Sequence, residues 1–301
     1  MGSTLINAAI PFILLPFLTK FLSKADLGII FMFSTLTSFI TPFVNVNMDG
    51  AITRVFYRDK ENFYQYIGNT IIISLICTVL LVLLSFIVSP LALEYTSLTF
   101  KWVSFCVLTC FAQFLILILL TLYRIHLKPL KYGILQVSLS AANLILSLIL
   151  IGLFHFKWEG RLLAQVVSTI FFASFCFFVL KFNYKISFKI EINYIKHALK
   201  FGGGLIPHTI GMSLILLTNR FFLLKMVNLD ETGMFGVASM LASVISFVTF
   251  SFNNAYVPWL YEKLNLKSLS EKFKLVRFTY VYFFYCVKII QKGDVKSCSF
   301  Y

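Results

Sequence analysis

Long apolar runs, separated by short polar or basic connections, constrain this chain more than any other feature of its sequence. A helix needs about 20 mostly apolar residues to cross a bilayer, and a segment in lipid must satisfy its own backbone hydrogen bonds. The sequence therefore predicts an all-α polytopic membrane protein with about nine transmembrane helices. The nine runs are residues 3–18, 27–47, 66–88, 102–123, 132–154, 162–180, 202–224, 233–252 and 273–290.

The composition leaves little room for a soluble domain. Apolar residues make up 59% of the 301 residues, charged residues only 13%, and the formal net charge is +14. A soluble chain with that charge would suggest a nucleic-acid partner. Here the basic residues lie in the connections between apolar runs, where they orient a membrane protein and contact lipid headgroups. We therefore expect membrane lipids as partners and no nucleic acid.

The basic residues also predict the orientation of the chain. Sixteen Lys and Arg residues follow the even-numbered runs and six follow the odd-numbered runs. Cytoplasmic connections carry the excess of Lys and Arg in membrane proteins. The count predicts a multi-pass membrane protein whose N-terminus and even-numbered connections are cytoplasmic.

An internal repeat suggests two related halves. Residues 20–40 resemble residues 225–245, with Gly28 matching Gly233. Because six runs separate the two segments, the halves have the same orientation, which is typical of one class of transporters. A second half of six helices is expected, but only three further runs follow, so the sequence predicts a C-terminally truncated second bundle.

These patterns give four predicted regions. They are an N-terminal six-helix bundle (1–180), a basic cytoplasmic linker (181–200), a partial C-terminal bundle of three helices (201–290) and a polar tail (291–301). Within the linker, residues 182–194 alternate between apolar and polar, which favours an extended or interfacial segment.

Enzyme motifs are missing from the sequence. It has no Walker A motif, no H-E-x-x-H, no G-x-S-x-G and only four His. The six Cys follow neither metal-ligand nor disulfide-framework spacing, so we interpret them as small core residues. We predict a protein that is not an enzyme, with no catalytic residues, no cofactor and no metal site.

Polar side chains inside the apolar runs are candidates for a transport cavity, because unpaired polar groups are costly in hydrocarbon. The candidate cavity-lining residues are Asn47, Gln113, Asn143 and Asn253. Each of them has an alternative role as a hydrogen-bonding residue between helices.

Basic side chains are candidates for binding an anionic headgroup or phosphate. These candidates are Arg54, Arg124, His208 and Arg220. Arg220 lies near the end of its run, so its side chain could instead extend to the membrane surface. The glycines at 202–204 with Pro207 indicate either a discontinuous helix that exposes its backbone or a loose helix start.

Three segments resemble one family. Residues 10–23 with 26–28, residues 49–57, and residues 200–208 with 219–221 are similar to the bacterial polysaccharide biosynthesis proteins. These include the O-antigen flippases (Wzx-type) of the multidrug/oligosaccharidyl-lipid/polysaccharide exporter superfamily. Members of that family often have Asp at the position of Asn219, so the resemblance does not extend to an ion pair there.

The resemblance implies a MATE-like architecture of two helical bundles around a central cavity. It implies a flippase that moves an undecaprenyl-diphosphate-linked oligosaccharide, such as an O-antigen repeat unit for lipopolysaccharide biosynthesis, by alternating access. The glycan polymerase and the chain-length regulator are then expected as further partners.

Two alternatives stay open. A cation-coupled small-molecule exporter would normally carry an acidic residue deep in a span, whereas every Asp and Glu here lies at a span end or in a connection. A membrane-embedded glycan polymerase should have a long periplasmic loop, but the odd-numbered connections are short.

Overall fold

The computed structural model describes residues 2–58, 62–96 and 98–243, and all regular structure in these ranges is α-helical. The predicted all-α fold is therefore confirmed. The helices, in chain order, are α1 (Gly2–Phe21), α2 (Lys24–Asn45), α3 (Asp49–Arg58), α4 (Phe63–Thr96), α5 (Phe100–Ile125), α6 (Pro129–Gly152), α7 (Trp158–Phe182), α8 (Ile192–Met226) and α9 (229 to the last described residue, 243).

Six of the described helices are long and apolar enough to cross a membrane. The six segments are Lys24–Asn45, Phe63–Ile87, Phe100–Ile125, Pro129–Gly152, Trp158–Phe182 and Ile192–Met226. They confirm the second to seventh predicted runs and a polytopic membrane protein. The apolar segment of α1 is the shorter Phe12–Phe21. The eighth run begins in α9, and the ninth lies outside the described residues.

Residues 1–241 form one compact unit, and residues 242–301 are assigned to another. In the first unit the long helices alternate in direction. One end, which we call the basic end, contains α3, the α5–α6 connection and the segment 183–191. The opposite end contains the α1–α2, α6–α7 and α8–α9 connections. The predicted division into a six-helix bundle, a linker and a partial second bundle stays a prediction.

A capping box holds the connection between α1 and α2. The backbone N–H of Ser23 donates to Asp26 Oδ2 over 3.0 Å, and the backbone N–H of Asp26 donates to Ser23 Oγ over 3.1 Å. This arrangement satisfies backbone donors that a helix N-terminus otherwise leaves without partners. The two helices can therefore reverse direction across a very short turn at the opposite end.

Helix α5 is the most buried span and packs against α2, α4, α6 and α7. Its contact with α2 uses small side chains. Thr37 Oγ1 lies 3.6 Å from Cys106 Sγ, and Thr41 Oγ1 lies 3.5 Å from Cys110 Sγ. Small residues let helices approach closely in lipid. The prediction that cysteines serve as core residues is confirmed at these two positions, both of which are buried without a disulfide.

The segment between α7 and α8 lies against α4. Asn69 Nδ2 donates to the carbonyl oxygen of Lys189 over 3.0 Å, and Asn69 Oδ1 accepts from the backbone N–H of Glu191 over 3.0 Å. A Cβ at Gly68 would overlap the carbonyl oxygen of Ser187. Within the predicted extended or interfacial segment, residues 185–191 have no regular secondary structure, and Lys185 has a left-handed φ of 49°. Phe182 belongs to α7, and the residues from Ile192 onward belong to α8.

Enlarging Cys106 should destabilise the α2–α5 contact. Because this side chain is fully buried, Cys106→Leu adds volume where none is available, and overpacking of this kind costs about 1–3 kcal/mol. We expect a lower thermal unfolding temperature of the purified protein in detergent. Cys77→Leu, at a half-buried cysteine of α4, is the matched control, and an equal loss in both variants would contradict the assignment.

Candidate functional site

Helix α8 and the first part of α9 lie along α2, and we call this contact the seam. Asn47 Nδ2 donates to Thr209 Oγ1 over 2.7 Å near the basic end. Further along, Ser213 Oγ donates to the carbonyl oxygen of Ser38 over 3.3 Å. The two helices are antiparallel, and polar groups cross between them at several levels. Asn47 lies in the turn after α2 and connects it to α8, and its predicted place in a cavity stays a prediction.

Arg220 connects α8 to α2 near the opposite end of the seam. Its guanidinium donates to the carbonyl oxygen of Phe31 over 2.5 Å and to Thr35 Oγ1. It also lies over the ring of Phe31, 5.3 Å from the centroid. The partners are neutral, so the positive charge of Arg220 is held by hydrogen bonds and an aromatic face. The side chain therefore reaches across to α2.

The glycines at the start of the seventh run allow close packing. A Cβ at Gly202 would overlap the carbonyl oxygen of Val46, whereas Gly203 and Gly204 face open space. Helix α8 is continuous from Ile192 and includes Pro207. The expected helix break, or loose start, at the glycines is therefore wrong: the helix begins ten residues earlier, and Gly202 brings it against the end of α2.

The two repeat segments contact each other where α2 and α9 begin. A Cβ at Gly28 would overlap the carbonyl oxygen of Leu229, and a Cβ at Gly233 would overlap that of Lys24. Gly28 corresponds to Gly233 in the repeat, and Lys24 corresponds to Leu229. The contact is therefore reciprocal, as in an interface across a two-fold axis. The repeat relates segments that pack together at the opposite end.

The other predicted headgroup residues lie apart from Arg220. Arg54, on α3, is exposed and lies over the ring of Phe201, 5.9 Å from the centroid. Arg124 is exposed at the end of α5 and lies 5.7 Å from the centroid of Tyr132. His208 is exposed on α8, next to the residue that binds Asn47. The structure thus brings Arg54 and Asn47 against the first half of α8 and leaves Arg124 on another connection.

A buried arginine was counted in the sequence only as part of a connection. Arg161, in the first turn of α7, donates to Asn143 Oδ1 and, over 2.8 Å, to Ser147 Oγ of α6. Its Nε is buried without a hydrogen-bond partner. Asn143 therefore holds a cation inside the first helices. The signal in the sequence was Asn143 and Ser147, two polar residues four positions apart in one apolar run.

Two further candidates are not in the seam contacts. Gln113 is half-buried on α5, and Asn253 lies outside the described residues. Among the described residues, no group of three His, Cys, Asp or Glu side chains is placed to hold a metal ion.

The side chains of the seam are cationic and neutral hydrogen-bond donors, which suit phosphates and sugar hydroxyls.

The fold and the seam define a polytopic all-α membrane protein in which the segments of an internal repeat pack against each other. The chain belongs to the polysaccharide biosynthesis protein family, whose model matches residues 1–263. The resemblance of the three segments to that family is thereby confirmed.

Two similar proteins come from Haemophilus influenzae. One is an uncharacterized membrane protein, 25% identical over 276 residues, which cover 87% of this chain and 64% of that protein. The other is Lsg locus putative protein 1, 25% identical over 265 residues, with 86% and 64% coverage. The chain spans 64% of the length of these curated relatives.

A solved structure supports the fold. A chain named protein A superposes with a TM-score of 0.62 at 16% identity, and the match covers 80% of this chain and 58% of that one. At this level of identity, the similarity concerns the arrangement of helices.

Filling the space at Gly233 should weaken the contact between α2 and α9. In Gly233→Ala the added methyl group meets backbone atoms of α2, which cannot rotate away as a side chain can. We expect a thiol-reactive probe to label a cysteine placed at Leu229 several times faster than in the unaltered glycine background. Gly211→Ala is the control, because a Cβ at Gly211 meets nothing within 4 Å. Equal labelling in both backgrounds would show that the glycines do not set this contact.

Proposed function

We propose that the protein is a flippase that moves an undecaprenyl-diphosphate-linked oligosaccharide across the bacterial inner membrane. The family match over residues 1–263 carries this proposal. The cargo is an O-antigen unit or a similar repeat, and the protein is a transporter, not an enzyme.

The seam supplies the physical requirement for such transport. A diphosphate carries negative charge that is costly to move into hydrocarbon, and fixed cationic donors offset part of that cost. Arg220 uses only one terminal nitrogen for its two bonds to α2. Its other N–H groups are able to bind a phosphate oxygen when the helices separate. Arg54 and His208 lie toward the basic end and offer earlier contacts there.

Alternating access would act at the seam. The Gly28–Gly233 contact closes the opposite end, and the contact between Gly202 and Val46 joins the helices near the basic end. Both contacts depend on backbone atoms touching, so small shifts break them completely. We propose that they open in turn, with the N-terminus and the basic end in the cytoplasm, as the excess of Lys and Arg predicts.

A cation-coupled small-molecule exporter is less well supported. Within the described spans, Asp26 and Glu159 lie in the first turns of their helices. An acidic residue in the middle of a span, which would bind a coupling cation, is absent from these six segments.

Deletion of the gene tests the proposal. We expect lipid-linked repeat units to accumulate in the membrane and long-chain surface polysaccharide to disappear, and supplying the gene back should reverse both. Gel analysis of surface polysaccharide and quantitation of the lipid-linked units are the measurements. A deletion that changes neither quantity would rule out the flippase.

Neutralising Arg220 should slow translocation. In Arg220→Gln the cation that bridges α8 and α2 is lost, and a lost interaction of about 1.4 kcal/mol in the rate-limiting step lowers a rate tenfold. We expect accumulated lipid-linked units in complemented cells at an unchanged protein level in the membrane. Lys196→Gln removes an exposed charge from the same helix and should have little effect. Normal surface polysaccharide in the Arg220→Gln strain would exclude Arg220 from the transport path.

A further inference from the structure

A groove on the membrane-facing surface lies between α6 and α7, with Tyr123 of α5 also lining it. Its volume is about 380 Å³, and its walls are mainly apolar and aromatic. Phe171 and Phe175 line it while remaining 69% and 52% exposed. A convex lipid-facing surface would not hold one molecule in a fixed place. This concave site is large enough to hold part of a small ligand.

One cation lines the groove. Lys131, in the first turn of α6, is exposed and belongs to the lining. Ser138 lines the groove seven residues further along α6, which is about 10 Å deeper at 1.5 Å per residue. The groove therefore runs from the membrane surface at the basic end into the hydrocarbon region. Its charged group is at the shallow end and its aromatic walls are deeper.

The segments that form the groove carry little negative charge, and the acidic residues Asp49 and Glu191 of the basic end lie outside these segments. Between Arg124 and Lys189 the sequence contains a single acidic residue, Glu159, and it lies in the first turn of α7 at the opposite end. The exposed Lys128 and Lys181 add positive charge at the basic end. An occupant with an anionic head and an apolar tail complements this distribution.

We propose that the groove binds one anionic glycerophospholipid from the leaflet at the basic end. The phosphate contacts Lys131 Nζ at the membrane surface, where a juxtamembrane cation attracts anionic lipid. The first part of one acyl chain packs against Phe171 and Phe175. The hydroxyl groups of Tyr123 and Ser138 offer hydrogen bonds to the glycerol ester region. The site is separate from the seam, and the proposal is independent of which cargo the protein moves.

Native mass spectrometry of the purified full chain in detergent tests this site. Phosphatidylglycerol and phosphatidylcholine with identical acyl chains are titrated separately. We expect one phosphatidylglycerol molecule to bind several times more tightly than phosphatidylcholine. Lys131→Gln should remove the difference, Lys131→Arg should retain it, and Phe175→Ala should weaken the binding of both lipids.

Lys157→Gln is the matched control, because Lys157 is an exposed lysine at the other end of the α6–α7 pair. It should bind phosphatidylglycerol as the unaltered protein does. Equal binding of the two lipids, or equal losses in Lys131→Gln and Lys157→Gln, would overturn the proposal. Displacement of phosphatidylglycerol by undecaprenyl phosphate at a much lower concentration would assign the groove to a polyprenyl lipid instead. If Lys131→Gln fails to fold, Phe175→Ala with the two lipids still decides whether the groove is the site.

Discussion

Close approach between helix backbones is the interaction on which the described structure depends. In lipid, burial of apolar surface contributes little to helix association, because the lipid tails are as apolar as the side chains. Packing and hydrogen bonds between helices must hold the molecule together. Helix α2 contacts α5 through Thr and Cys side chains. It contacts α8 and α9 at glycines, where one added methyl group would overlap the backbone of the neighbouring segment. Gly233 shows this dependence most clearly, because a Cβ at this position would overlap backbone atoms of α2.

Two arginines in the spans are held by neutral partners among the described residues. Arg161 is bound by Asn143 and Ser147, and Arg220 is bound by Phe31 and Thr35. Neutral partners solvate a guanidinium without cancelling its charge. The two arginines connect different pairs of helices. Arg161 joins the consecutive helices α6 and α7, whereas Arg220 joins α8 to α2 through Phe31, which is 189 positions away in sequence. Under the proposed function, Arg220 is therefore the cation that gains access to cargo when the seam opens.

Much of the fold could be predicted from the sequence because the membrane imposes a simple rule of length and hydropathy. Six runs were confirmed as spans. The repeat of Gly28 in Gly233 predicted two related halves, whereas the packing of the two segments against each other is visible only in the structure. The distribution of basic residues in the sequence could not place Arg161 between helices. A basic residue beside a connection gives the same sequence pattern whether its side chain contacts lipid headgroups or a neighbouring helix. It also could not distinguish glycines that break a helix from glycines that let one approach another. That distinction at Gly202 depends on Val46, which is far away in sequence.

Under the proposed function, α2 and α8 separate during transport. Ser38 and Ser213 lie on the two helices, and Ser213 Oγ is 3.3 Å from the carbonyl oxygen of Ser38. The most direct measurement is the translocation of lipid-linked oligosaccharide by a Ser38→Cys, Ser213→Cys variant before and after oxidation, with each single variant as a control. If the helices must separate, the disulfide stops translocation and a reductant restores it. Undiminished translocation by the fully cross-linked protein would show that α2 and α8 stay together during transport.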